Sequence, residues 1–363
     1  MSTEPLLSFC TPNRTVSFSP NGSDGGIEID KDYAQNVGLL YLFLGFIFIP
    51  LSGFVLSVII RRPLIKHNCY KIMALTTVLD IGNLINGALV TGILSIKDFH
   101  HCKNEWIIPV TEVLVHLWFS YCCASEVLAL NRMLEFANKN LANFLFEGKR
   151  IYFWFLVVIL YSTAAMFLVP DRYYYYNPYG GIFLMARTSG QPNYVHLFNN
   201  FFKFGFITTC YSVMLIFMYR SLRVTSTVKI SKFQIKISIQ TLAIAALADG
   251  VALGYLMIAY LPLSPEMAQY AGTAGELLYI SLHGGTAIIY LIMNNAVNSK
   301  FKSIFCGAAP VPVSDVSLTE NPRRTSGVAC VGPLPPLKGV TNRGLRMSTE
   351  DSGTERRIDV ISE

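Results

Sequence analysis

The sequence predicts an all-α membrane protein: a bundle of seven transmembrane helices, N-terminus outside, with a short amphipathic eighth helix and a disordered C-terminal tail. Three observations carry this. Of the 363 residues 52% are hydrophobic and only 14% charged, where soluble domains carry roughly a quarter charged, and the mean hydropathy is positive. Seven apolar runs, near 37–60, 69–96, 106–130, 151–170, 197–219, 237–261 and 268–293, supply the length of a spanning helix, roughly 20 residues. Finally, Lys and Arg gather in alternate loops, the pattern that orients membrane proteins.

Residues 1–36 lack a basic stretch followed by an apolar core, so they read as an extracellular segment rather than a signal peptide, and the first span directs insertion. One set of loops holds Arg61, Arg62 and Lys66; Arg132, Lys139, Lys149 and Arg150; Arg220, Arg223, Lys229, Lys232 and Lys236; then Lys300 and Lys302. The other holds Arg14, Lys31, Lys97, Lys103, Arg172 and Arg187, fewer than half as many. The richer side is expected to be cytoplasmic. Two glycosylation sequons, at Asn13 and Asn21, fall in the segment this places outside.

The bundle proper is expected over 37–293. Pro50 removes a backbone donor in the first span and predicts a kink. Gly250 and Gly254 in the sixth span are spaced for close helix contact, and that span has no central proline. Residues 294–306 place Val297, Phe301, Ile304 and Phe305 on one face beside Lys300 and Lys302, as an interfacial helix in contact with membrane lipids would. Cys306 at its end is a palmitoylation candidate or a plain free thiol. Residues 307–363, rich in Pro, Gly, Ser and charge, are expected to be a disordered cytoplasmic tail. Ser326 in "RRTS" is a candidate phosphorylation site for a basophilic kinase.

Several function classes find no support. No basic, aromatic-laced block suggests nucleic acid. The eight cysteines form no C-x-x-C pair and no metal-ligand spacing, so no cofactor or metal is expected. Glu112 and His116 stand four apart, but no H-E-x-x-H or nucleophile motif accompanies them, and no enzyme is expected.

Ionisable residues inside spans are costly and face the bundle interior by default. From the rise of about 1.5 Å per residue, Asp80, Asp249 and His283 fall near mid-membrane. Glu112, Lys203 and Glu276 fall in the outer third, and Glu126 lies toward the cytoplasm. On the third span Glu112, His116, Phe119, Cys123 and Glu126 form one seam, expected to face inward; on the seventh, Glu276, His283 and Tyr290 repeat at seven. The outer set Glu112, His116, Lys203 and Glu276 reads either as a ligand pocket or as an inter-helix salt bridge around Lys203. Asp80 with Asn83 reads as a buried hydrogen-bond network that rearranges on activation. His283 reads as a satisfied bundle histidine, with pH sensing as the alternative. Tyr173 to Tyr176 read as an aromatic belt at headgroup level or as a lid over a pocket.

Four stretches carry a family resemblance. "NCYKIMALTTVLD" (68–80), "LALNR" (128–132), "LFEGKR" (145–150) and "NYVHLFNN" (193–200) resemble the nematode serpentine receptor class T chemoreceptors, through all seven spans but not the N-terminus or tail. The resemblance implies a G-protein-coupled chemosensory receptor at the plasma membrane, in sensory cilia, with an external ligand and a heterotrimeric G protein as partners. It makes Asn131-Arg132 the counterpart of the activation motif at the cytoplasmic end of the third helix, and "YYYYNPYGG" (173–181) the second extracellular loop. The letters Asp171-Arg172-Tyr173 are then a coincidence, lying after the fourth span. Arg132 either snorkels to the interface or contacts the G protein, with Glu135 as a weak local partner. Asp80 corresponds to the helix-two acid of rhodopsin-like receptors, which can hold sodium; the first span has no Asn to help. Tyr290 stands in for the missing N-P-x-x-Y tyrosine in "AIIYLIMNN" (287–295). Cys102 occupies the position where many receptors anchor a disulfide, and Cys10 is its candidate partner. A ligand-gated channel or a transporter is the alternative function; the predicted outside N-terminus argues against the former, and no paired broken helices support the latter.

Overall fold

A computed structural model of the chain describes residues 8–10, 16–18, 30–99, 104, 106–168, 172–177, 180–187, 193–223, 232–260 and 265–305. Helix α1 (Lys31–Ile59) is capped by Asp30, whose carboxylate accepts from the backbone N–H groups of Asp32 and Tyr33 at 3.0 and 3.2 Å, satisfying donors with no partner inside the helix. Pro50 lies inside α1. The second run comprises α2 (Asn68–Leu84), a π-helical turn (Ile85–Val90) and α3 (Thr91–Lys97). Helix α4 (Ile107–Ala137) continues about two turns beyond the expected end near 130, because Asn131, Arg132 and Leu134 are buried. After it come α5 (Lys139–Phe146), α6 (Ile151–Phe167), α7 (Tyr194–Arg223), α8 (Lys232–Tyr260), α9 (Pro265–Met293) and α10 (Asn295–Phe305).

Six of these runs are long and apolar enough to cross a membrane: α1, α2–α3, α4, the run 148–167, α7 and α9. The expected sixth span is a helix of sufficient length, α8, but its apolar part among the described residues is the shorter Ser238–Gly254. The chain is thus a multi-pass membrane protein. Its lipid-facing side chains are apolar and exposed, as with Phe43 and Phe46 on α1 and Phe153, Leu156 and Leu160 on α6. Helices suit this setting because their backbone hydrogen bonds close within each segment, which is what a bilayer requires. Helix α4 is the most buried span and packs against α2, α6 and α7, while α9 packs against α8 and α1.

The all-α expectation needs correction to mostly helical. Residues 172–187 form an antiparallel hairpin, β3 (Arg172–Asn177) with β4 (Ile182–Arg187), and a smaller pair joins β1 (Ser8–Cys10) to β2 (Val16–Phe18). Helix α5 was read as loop, although Asn138 caps it by accepting from Leu141 N–H at 3.1 Å. The glycine expectation holds at one site of two: a Cβ at Gly254 would stand 2.6 Å from Leu278 of α9, whereas Gly250 faces open space.

Candidate functional site

At the end of α4 near Ala137, Arg132 is 1% exposed. Its guanidinium donates to Asn131 Oδ1 at 2.6 Å and pairs with Glu135 Oε1 at 2.5 Å. One helical turn thus supplies both partners, as i, i+3 spacing allows. Arg132 does not snorkel outward; it is held inside the bundle. On the same side of the bundle, Asn294 donates to the Tyr70 hydroxyl of α2 at 3.1 Å and accepts from the N–H groups of Ala296 and Val297. It therefore caps α10 and ties α9 to α2. Lys236 of α8 donates to Asn295 beside it.

Near the middle of the bundle, His283 Nδ1 of α9 meets Asp80 Oδ1 of α2 at 2.7 Å, both groups fully buried. The Tyr279 hydroxyl donates to Asn83 Oδ1 at 2.6 Å. The rings of Tyr121 and Tyr279 stand edge-on to His283, each 4.6 Å away between centroids, and Trp118 closes the group. Lys203 of α7 lies over Trp118 and Tyr121, 4.7 Å from each ring centroid, a cation–π placement. A cavity of about 20 Å³ borders Asp80 and Tyr290 and is lined by Thr76, Tyr121, Ser125, Tyr211, Thr241 and Thr286, room for about one water molecule. Tyr290 is 1% exposed and hydrogen-bonds Thr76.

At the opposite end from Arg132, the β3–β4 hairpin closes over the bundle. Thr111 of α4 donates to the Tyr174 carbonyl at 2.8 Å, Ser95 of α3 bonds the Tyr176 hydroxyl at 2.5 Å, and Thr273 of α9 donates to the Gly180 carbonyl at 3.3 Å. The turn needs Gly181 at φ +60°, a region glycine enters without strain, and it rests on Tyr41 of α1. Tyr174 and Tyr176, two apart on one strand face, are buried, so these two do not form a headgroup belt. Burial pushes the Tyr176 hydroxyl pKa above its ordinary value, against the opposing pull of the Ser95 bond. Arg172 sits in β3 opposite Arg187.

The four outer candidates meet different neighbours. His116 is half-buried and meets Ser162 of α6 at 3.2 Å. Lys203 lies over the rings of Trp118 and Tyr121. Glu276, 3% exposed, accepts from the Phe183 N–H of the hairpin. Glu112 is half-buried near the start of α4. In the third-helix seam Phe119, Cys123 and Glu126 are buried; Phe119 packs with Ala165, Met166 and Tyr174, while Trp118 and Tyr121 stand against His283. A chain from Tyr161 through Asn199 and Asn200 to His196 links α6 to α7 and was not foreseen. Cys102, Cys306, Ser326, Asn13 and Asn21 lie outside the described residues, as does the Cys10 side chain. Among the described residues, no group of three His, Cys, Asp or Glu is placed to hold a metal ion.

A bundle of apolar spans with buried, partnered charges along its interior is a multi-pass membrane protein of receptor-like build. Its family is shown by comparison: residues 26–311 match the model described as serpentine type 7TM GPCR chemoreceptor Srt. The chain belongs to that family, and a serpentine receptor-like role follows from membership. No curated protein matches it.

Proposed function

We propose that the protein is a chemosensory receptor that binds an external small-molecule or peptide cue at the hairpin end of the bundle and activates a heterotrimeric G protein at the other. In this reading α8 also crosses, as the sixth of seven spans, the N-terminus and hairpin are extracellular, and α5, α10 and the tail at 307–363 are cytoplasmic. The protein resides in the plasma membrane, in sensory cilia by family resemblance. Asn13 and Asn21 carry glycans, Cys10 and Cys102 are bridged, Cys306 is lipidated and Ser326 is phosphorylated. The observation that carries the reading is Arg132, buried at the predicted cytoplasmic end of α4 and paired with Asn131 and Glu135, in a chain that matches a receptor family over most of its length. Arg132, buried and held by groups on its own helix, is exposed only when the packing around α4 changes, and that change is a two-state element that a ligand can bias. Asp80 and Tyr290, which border one cavity, are the intermediate elements between the two ends.

The test is G-protein activation in cells with confirmed surface expression, across a chemical panel, with membrane current recorded in parallel and Arg132→Ala as the paired variant. A cue-evoked G-protein signal lost in Arg132→Ala supports the reading. Cue-evoked current without G-protein activation overturns it in favour of a ligand-gated channel.

A further inference from the structure

We propose that the corner between α5 and α6 binds an anionic phospholipid, with Lys139, Lys149 and Arg150 holding the headgroup while Leu141 and Phe144 lie among the acyl chains. The proposal goes beyond the receptor reading and needs only the membrane spans.

Helix α5 has more apolar surface than the bundle covers. Ala142 and Phe146 join the core, yet Leu141 is 40% and Phe144 64% exposed. The start of α6 holds the helix in place. Trp154 Nε1 donates to the Leu145 carbonyl at 3.1 Å, and the Trp154 ring stacks on Phe146 with centroids 5.1 Å apart. Arg150 Nη1 donates to the Phe144 carbonyl at 2.6 Å, at the end of α5 where carbonyls have no partner inside the helix. The Arg150 guanidinium carbon lies 5.2 Å from the Phe144 ring centroid. These contacts fix the depth of α5. Lys149 and Arg150 stand in the first turn of the spanning run 148–167. Just beyond them Tyr152, Phe153 and Leu156 are exposed on the lipid-facing side of α6. Phe144, seated against Arg150, is therefore at the level where headgroups meet acyl chains. An amphipathic helix at that level buries its apolar side in the bilayer.

Charge says which lipid. Lys139, Lys149 and Arg150 are exposed, and none of them meets a carboxylate among the described residues. The one acid in 139–150 is Glu147. Both hydrogen bonds of the Arg150 side chain leave from Nη1, so the rest of its fork is open to phosphate oxygens. A zwitterionic headgroup brings its own cation and gains little from such a cluster. A headgroup with net negative charge gains from all three residues.

The experiment uses the full chain purified in nanodiscs of phosphatidylcholine and phosphatidylserine in equal amounts, with brominated acyl chains on one lipid or the other. Bromine quenches tryptophan fluorescence on contact. The reporter is Phe144→Trp, read against the parent protein to remove the emission of Trp106, Trp118 and Trp154. Its emission is expected to be quenched more by brominated phosphatidylserine than by brominated phosphatidylcholine. Lys139→Gln and Lys149→Gln, in that background, remove no side-chain bond among the described residues. Each is expected to lower the local phosphatidylserine enrichment by about fivefold, the weight of one basic residue at a membrane surface. Phe46→Trp, at a lipid-facing position of α1, is expected to be quenched equally by the two lipids. Should Phe144→Trp fail to fold, Leu141→Trp carries the same readout. Quenching by neither lipid would mean that the face turns to a protein partner instead, and would overturn the proposal. So would equal quenching by both, a bias that survives the two lysine changes, or the same bias at Phe46→Trp.

Discussion

Arg132 and Glu276 are both ionisable, both buried, and at opposite ends of the bundle, yet they are held in different ways. Arg132 finds Asn131 one residue away and Glu135 one turn away, on its own helix. Glu276 is met by the backbone of Phe183, from a hairpin tied to α3, α4 and α9 by other bonds. A local partner moves with its charge, so the Arg132 pair travels with α4 as a unit. A partner on a separate element can leave. In the proposed reading, the end that admits a cue has the detachable partner and the end that engages a G protein has the attached one.

The largest expected effect breaks the attached end. Arg132→Ala should abolish cue-evoked G-protein activation while surface expression persists, because the orphaned Glu135 is partly exposed and does not leave a fully buried charge. Gly87→Ala attacks the detachable end through sterics. A methyl 2.7 Å from Glu276 and Tyr279 overpacks the π turn and should destabilise the receptor by about 1–3 kcal/mol, read as a lower unfolding temperature. Glu135→Gln sharpens the comparison by loosening Arg132 without removing it. Ligand-independent signalling should rise by roughly fivefold, a coupling free energy near 1 kcal/mol; an unchanged basal signal would mean the ion pair does not restrain the resting state. The smallest effect belongs to Tyr176→Phe, which deletes the bond to Ser95. It should cost about 1 kcal/mol and speed hydrogen exchange in the hairpin.

The same contrast explains what could be read from the letters alone. Apolar runs located the spans to within a few residues, since bilayer thickness leaves little choice. The Arg132–Glu135 pair was visible as i, i+3 spacing, but its burial was not, because the apolar count falls off near 130 while the helix continues. Asp80 and His283 were each placed at mid-membrane; that they meet was not visible, for they are 203 residues apart. The seam drawn on α4 is buried at Phe119, Cys123 and Glu126, but its neighbours were not legible. Periodicity finds a face but does not say which neighbour it meets, so Trp118 and Tyr121, rather than Phe119 and Cys123, surround His283. The hairpin does have a signal in the letters: an aromatic run, Gly180-Gly181, then "IFLMAR", the mark of two strands around a turn. The π turn has no comparable mark in "INGALV".

The hairpin's bonds to α3, α4 and α9 also set a timescale. A cue that enters under the hairpin, as the proposed reading has it, would not associate at the rate of encounter; it would wait for the hairpin to open. Association then saturates at the opening rate of the hairpin, below the diffusional ceiling. At high cue concentration the onset of the response would reach a limiting speed, the same for every cue that enters this way. At removal, reclosure would race rebinding and set how long the signal outlasts its stimulus.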